Sequence, residues 1–233
     1  MIPTTFQRIR DLDCLTLQTP HHKRAIVFLH GYGSNFADLS SLAPALDPNS
    51  SWDWYFPNGP DEVALMPGYV GRTWFPIDMQ RLQLALMRGE RQPFRREIPL
   101  GFSAASVKLD LMMRELSERY DQIVVGGFSQ GSMVSCDYAL HTEQKVAALL
   151  LLSSNIIAES RWEEGILRKQ PPAFPVFQSH GQFDPTLPYE GALALKSFWA
   201  GHDYQNEFIS FPGGHEIPYA VIDALKNFLN NLK

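Results

Sequence analysis

Residues 121–131 read DQIVVGGFSQG, and their pattern decides the fold. Ile123, Val124 and Val125 form an apolar, β-branched run of the kind that lies buried on both faces of a parallel sheet. Two glycines follow, then Ser129. Residues 130–141, QGSMVSCDYALH, then place Met133, Val134, Tyr138 and Leu140 on adjoining faces of a helix. The spacing predicts strand, very tight turn, helix, with Ser129 at the turn. Gly127-Phe128-Ser129-Gln130-Gly131 is a G-x-S-x-G pattern, in which the two glycines let neighbouring backbone approach a strained turn closely. At ordinary glycine and serine frequencies it arises by chance in roughly one chain in ten of this length, so its weight comes from the flanking strand and helix. A serine hydroxyl at that junction stands clear of the sheet at a helix N-terminus, where backbone N–H groups stabilise developing negative charge.

Upstream, Leu12, Cys14, Leu15 and Leu17 alternate as an edge strand does, and residues 24–30, RAIVFLH, form a second buried-type strand. That strand runs into His30-Gly31-Tyr32-Gly33-Ser34-Asn35, a glycine-bearing loop, and a short helix over residues 38–46. Trp54-Tyr55-Phe56 is a further strand, stopped by Pro57. Residues 61–100 are the least regular part and read as a lid or substrate-binding insertion, with a leucine-rich helix over residues 79–88. Trp74 and Phe75 within it have two readings, as plugs that seat the insertion on the core or as lining of an acyl pocket. A long helix is expected over residues 103–120, with Ser103 as N-cap and Val107, Leu109, Leu111, Met112 and Leu116 as its apolar face.

Downstream, residues 146–152, VAALLLL, form a buried strand, followed by a loop or short excursion through Trp162 and Leu167. A strand over residues 174–179 leads into His180-Gly181-Gln182-Phe183-Asp184-Pro185, then a helix over residues 189–200. The last strand, residues 206–211, ends in Pro212-Gly213-Gly214-His215-Glu216 before a closing helix over residues 218–229. Alternation of strands with helices implies an α/β fold: a mostly parallel central sheet with helices on both faces. Loops at the carboxyl ends of such strands line one crevice. With 45% apolar and 12% aromatic residues in 233, the chain is long enough for one large core and is read as a single domain, residues 1–233.

The net charge is −5, and the nearest thing to a basic cluster, residues 88–96, is interrupted by Glu90 and reads as a solvated loop. Nucleic acid is therefore not an expected partner, and no apolar stretch is long enough for membrane insertion. Cys14 and Cys136 are the only cysteines and read as buried free thiols, which together with an N-terminus lacking a leader pattern leads to the expectation of a cytoplasmic protein.

Ser129 needs a base, and the base needs an orienting group. Of seven histidines, His21, His22, His141 and His202 fall in turns or at a helix end, while His30 and His180 read as polar pins for adjacent glycine loops. His215 follows Gly213-Gly214 on the loop after the last strand and comes third in the chain order serine, acid, histidine. For the acid, Asp184 follows a strand and precedes Pro185, which restricts the local backbone; Asp203 lies at the opposite edge and Glu216 is adjacent to the histidine and aimed elsewhere. His180 and Asp184 stand four apart, but on a loop rather than one helix face, and no H-x-x-x-H or cysteine pair accompanies them; neither a metal nor a cofactor is expected.

His30-Gly31-Tyr32-Gly33-Ser34, Trp74-Phe75, Gly127-Phe128-Ser129-Gln130-Gly131, His180-Gly181 with Asp184-Pro185, and Gly214-His215 occur in an order that resembles the phospholipase/carboxylesterase branch of the α/β-hydrolases, which includes the acyl-protein thioesterases. The resemblance spans residues 24–230. It implies an α/β-hydrolase fold, a triad of Ser129, Asp184 and His215, and an oxyanion hole made by the backbone N–H groups of Tyr32 and Gln130. The chain departs from the thioesterase members in carrying Pro76 after Trp74-Phe75 and Tyr32 after His30-Gly31. Trp74, Phe75 and Leu187 are the expected substrate-binding side chains. The expected reaction is hydrolysis of short- to medium-chain carboxylic esters through an acyl-enzyme, acting on a small-molecule or lipid-like ester, in a monomer or homodimer. Its alternatives are acyl-thioester or lysophospholipid cleavage and, from another class, a non-catalytic binding protein for an apolar ligand.

Overall fold

The computed structural model of the protein describes residues 4–19, 21–92, 95–169 and 173–232. Residues 93 and 94 of the basic loop lie outside them.

The run that opens the sequence reading becomes β7 (Gln122–Phe128), in the interior of an eight-stranded sheet. Strand order is β1 (Thr4–Ile9), β2 (Leu12–Leu17), β4 (Asp53–Pro57), β3 (Arg24–Leu29), β7, β8 (Ala148–Leu152), β9 (Val176–Gly181) and β10 (Asn206–Phe211). All neighbours from β4 to β10 are parallel, and β1 and β2 close one side antiparallel. Period-two alternation splits the inner strands between two cores. Val27, Leu29, Val125, Leu149 and Leu151 face one layer, with residues of α3 (Phe102–Ser117), α4 (Gln130–His141), α5 (Glu159–Arg168) and α6 (Tyr189–Ala200). Ile26, Phe28, Val124, Leu150 and Leu152 face the other, with α1 (Leu42–Leu46) and α7 (Tyr219–Asn230).

Several expectations are corrected. The strand at Leu12–Leu17 is not the edge, because β1 pairs outside it from Thr4↔Leu17 to Ile9↔Leu12. The excursion through Trp162 is the helix α5: Trp162 and Ile166, four apart, are both fully buried, while Leu167 points outward. Ser103 lies inside α3, whose N-cap is Gly101 at φ 78. That helix buries Phe102, Ala105, Leu109, Met112, Met113 and Leu116, but leaves Val107 59% and Leu111 40% exposed. Steps of two residues turn a helix by about 200°, so 107, 109 and 111 cannot share a face.

The insertion holds a hairpin, β5 (Asp61–Met66) with β6 (Tyr69–Thr73), and then α2 (Met79–Met87). β6 is tied to the loop after β3 by Gly33 N–H donating to Arg72 O (2.9 Å) and Arg72 N–H to Ser34 O (2.7 Å). The Arg72 guanidinium donates to the carbonyls of Gly59 and Pro60, both at 2.9 Å.

Between β7 and α4, Ser129 has φ 53 and ψ −121, a conformation that L residues rarely adopt. The turn packs against the end of β3: a Cβ on Gly131 would meet Leu29 O at 2.4 Å and His30 O at 2.6 Å. Both obstacles are backbone, so nothing small can move aside. Gly131→Ala is expected to destabilise the protein by about 3 kcal/mol, measured as the shift in a urea unfolding curve, and an unchanged midpoint would contradict the packing described.

Candidate active site

Because β7, β9 and β10 run parallel, the turn at Ser129 and the loops carrying Asp184 and His215 emerge at the same edge of the sheet. The ladder continues into these loops: Ser129 N–H donates to Leu152 O and Ser153 N–H to Ser179 O, both at 2.9 Å. Gln182 and Phe183 donate their N–H groups to Phe211 O and Gly213 O, also at 2.9 Å, locking the Asp184 loop to the His215 loop.

Asp184 Oδ2 lies 2.6 Å from His215 Nδ1. The other carboxylate oxygen accepts the N–H groups of Thr186 and Leu187, each at 2.8 Å, so the side chain is held by the loop it starts. Burial alone would raise the Asp184 carboxyl; the hydrogen bond and charge of His215, with the two N–H groups, outweigh it and bring it below 3.8. The His215 side chain, 18% exposed, packs its ring 4.7 Å from that of Phe128, the neighbour of Ser129. The rivals are placed elsewhere. Glu216 turns back to accept the Gly214 N–H at 3.1 Å, and Asp203 sits before the start of β10, at the opposite edge.

His30 and His180 are pins. His30 Nδ1 bonds the Gly31 carbonyl at 2.7 Å and Nε2 accepts the Gly59 N–H at 2.9 Å, an arrangement only a neutral imidazole satisfies. Burial lowers its pKa to about 4. His180 Nε2 donates to Leu187 O at 2.9 Å and lies 3.4 Å from Asp184 Oδ2; burial likewise lowers it.

The loop after β3 reaches Ser129 through Gly31, where a Cβ would stand 3.4 Å from the serine Cβ. Among the hydrogen bonds of the described residues, neither the Tyr32 nor the Gln130 backbone N–H has an acceptor. Gln130 has a further part that sequence reasoning missed. Its carboxamide pairs with the insertion as a strand would: Oε1 accepts the Trp74 N–H at 3.0 Å and lies 3.0 Å from the Thr73 hydroxyl, and Nε2 donates to Phe75 O at 2.7 Å. The signal is long-range and no local pattern carries it.

Of the expected substrate-binding side chains, Phe75 and Leu187 line a cavity of about 320 Å³ with Met133, Ile157, Ile77 and Leu82. Trp74 does not. It is 1% exposed, and its indole N–H donates to His30 O at 2.9 Å, which makes it the plug of the two readings. Among the described residues, no group of three or more His, Cys, Asp or Glu side chains is arranged to hold a metal ion.

Strand order, pairing and the strained turn between β7 and α4 are those of an α/β-hydrolase. Within that class the profile of phospholipase/carboxylesterase proteins matches residues 15–233, and the chain belongs to that family of hydrolases. It is 30% identical over 221 residues to acyl-protein thioesterase 1 of Neurospora crassa, covering 89% of this chain and 86% of the relative. With the enzyme of the same name from Debaryomyces hansenii it shares 27% over 228 residues, covering 90% and 91%. The fold is also that of esterase PE8, with a TM-score of 0.74, 24% identity and coverage of 91% and 94%. Zea mays acyl-protein thioesterase 2 superimposes with a TM-score of 0.67, at 21% identity over 99% of this chain and 98% of that one.

Two outcomes are expected. Gln130→Leu strands the buried Trp74 N–H, while Phe75 O keeps the Thr73 hydroxyl as a donor, and should cost about 2 kcal/mol of stability in urea titrations. Asp184 has its folded pKa depressed, so its stabilisation is present above the unfolded carboxylate value and lost as pH falls through the folded one. The difference in urea midpoint between wild type and Asp184→Asn should therefore shrink on going from about pH 6 to about pH 3. A difference constant over that range would contradict it.

Proposed function

We propose that this protein is a serine carboxylesterase that hydrolyses short- to medium-chain carboxylic esters through an acyl-enzyme at Ser129. The observation that carries the reading is the 2.6 Å hydrogen bond between His215 Nδ1 and Asp184 Oδ2, at the sheet edge where Ser129 stands on its strained turn. With Nδ1–H committed to the carboxylate, the lone pair of Nε2 is left to act as a base. Ser129 Oγ attacks the ester carbonyl while His215 takes its proton. Collapse of the tetrahedral intermediate expels the alcohol, which receives that proton from His215. Water, deprotonated by His215, then attacks the acyl-serine and releases the carboxylic acid. The backbone N–H groups of Tyr32 and Gln130 hold the oxyanion; their lack of other acceptors supports this role.

The volume of the cavity supports the substrate class. About 320 Å³ falls near the lower end of the roughly 300–1,000 Å³ usual for small-molecule sites. Phe75 and Leu187 contact the acyl chain, and residues 61–100 act as the substrate-binding insertion of one domain spanning residues 1–233. A thioester is the second reading, favoured by the thioesterase names of the Neurospora and Debaryomyces relatives. Cys14 and Cys136 are both buried and free, which supports a cytoplasmic setting. Among the described residues no helix is long and apolar enough to cross a membrane.

Wild type and Ser129→Ala are to be compared on p-nitrophenyl butanoate. Loss of about 10⁴-fold or more in kcat, with the fold retained by circular dichroism, is the expected result. Activity persisting in Ser129→Ala would overturn the mechanism.

A further inference from the structure

The cavity lined by Phe75, Met133 and Leu187 has a buried and an exposed part to its lining. The inner part is apolar and is linked to the candidate triad through two residues: Met133 lies one turn along α4 from Ser129, and the Leu187 N–H is bonded to Asp184. The exposed lining carries the charged side chains of Asp78, Arg81 and Glu97 beside the apolar Ile98 and Leu100. Arg81, on α2, grips Glu97 with both terminal nitrogens, one at 2.8 Å to Oε2 and the second to Oε1. Asp78 caps α2 by accepting the Arg81 N–H at 2.9 Å.

The segment over residues 95–100 that carries Glu97 is fixed to the body of the protein at both ends. Arg95 Nε donates to Glu159 Oε2 at 2.8 Å and its carbonyl accepts the Glu159 N–H at 2.8 Å. At the far end the segment runs through Gly101 into α3. The bidentate pair thus joins a fixed strap to α2 within the exposed part of the cavity lining. We propose that the Arg81–Glu97 pair is the outer stop of the acyl pocket and sets the longest acyl chain the site accepts.

The physical basis is simple. Each methylene gains free energy while it replaces water against an apolar wall, and that gain ends where the next group meets an ion pair that has to be desolvated or parted. The two side chains are 55% and 47% exposed, so the pair is a breakable stop that salt screens, not a rigid wall. This inference rests on the ester-hydrolase reading for its substrate, but the pocket and its stop are measurable without catalysis.

The test compares wild type, Arg81→Gln, Glu97→Gln and the exchanged pair Arg81→Glu/Glu97→Arg on p-nitrophenyl butanoate, octanoate and dodecanoate. Binding of the corresponding free carboxylates is followed in parallel by calorimetry in a Ser129→Ala background. The expected result is a dodecanoate-to-butanoate ratio of kcat/KM at least about tenfold higher in either single variant than in wild type. In the exchanged pair the ratio should return toward the wild-type value, and the chain length at which carboxylate affinity stops rising should move with it. A ratio within about twofold of wild type in both single variants, or an affinity break that stays in place, would overturn the stop. If the affinity break moves but no ester is cleaved at any length, the stop stands and the esterase reading falls.

Discussion

The carbonyl oxygens of Leu29 and His30 press against the first turn of α4, where Gly131 leaves no Cβ between the two backbones. The rest of the carboxyl edge depends on that approach. A chain leaving β7 must reverse into a helix within one residue if the helix is to lie so close to β3, and Ser129 takes up the reversal at φ 53. The strained backbone at Ser129 is therefore the local cost of packing α4 onto the end of the neighbouring strand. The same contact lays the loop after β3 alongside the serine, with Gly31 beside its Cβ.

From this junction the insertion is fastened by a few polar groups rather than by a core of its own. Gln130 catches the backbone of Trp74 and Phe75, Trp74 returns its indole N–H to His30 O, and His30 bonds both its own loop and Gly59. Arg72 ties β6 to the carbonyls of Gly59 and Pro60. Each of these groups is pinned by the one before it, so the serine turn, the loop carrying Tyr32 and the wall of the cavity hold one geometry together.

On the other side of Ser129 the organising group is Asp184, with its side chain wholly buried. One oxygen is spent on its own loop, and the second faces two histidines with different partners: His215, at the rim, and His180, whose Nε2–H is directed to Leu187 O. His180 is kept neutral by burial, so it holds the loop without competing for charge with His215. The Leu187 that closes this loop is also a wall of the cavity, which links the aim of the carboxylate to the shape of the pocket.

Much of this was legible in the chain. The order of strands and helices follows from apolar runs and their punctuation, and the strand over residues 206–211 and the helix over residues 189–200 have the bounds read from sequence. What was missed had weaker signals. The hairpin β5–β6 is mostly exposed: the apolar run from Val63 to Met66 does not alternate as a half-buried strand does, and the turn after it takes Gly68 at φ 82. β1 shows no alternation, since its only large apolar residues, Phe6 and Ile9, stand three apart with Phe6 exposed and Ile9 buried, and α5 announced itself only by Trp162 and Ile166 four apart.

By itself the sequence determined the parallel α/β architecture and the turn on which Ser129 stands, because periodicity and glycine placement act over a few neighbouring residues. Tertiary structure alone decided that Trp74 is a plug while Phe75 lines the cavity, that the Gln130 side chain clamps the insertion, and that Arg81 pairs with Glu97 in the lining of that cavity. The hydrogen bonds among these groups join residues 16 to 57 positions apart in the chain. Partners at such separations meet only once the sheet is assembled, so no local pattern encodes which of them will touch.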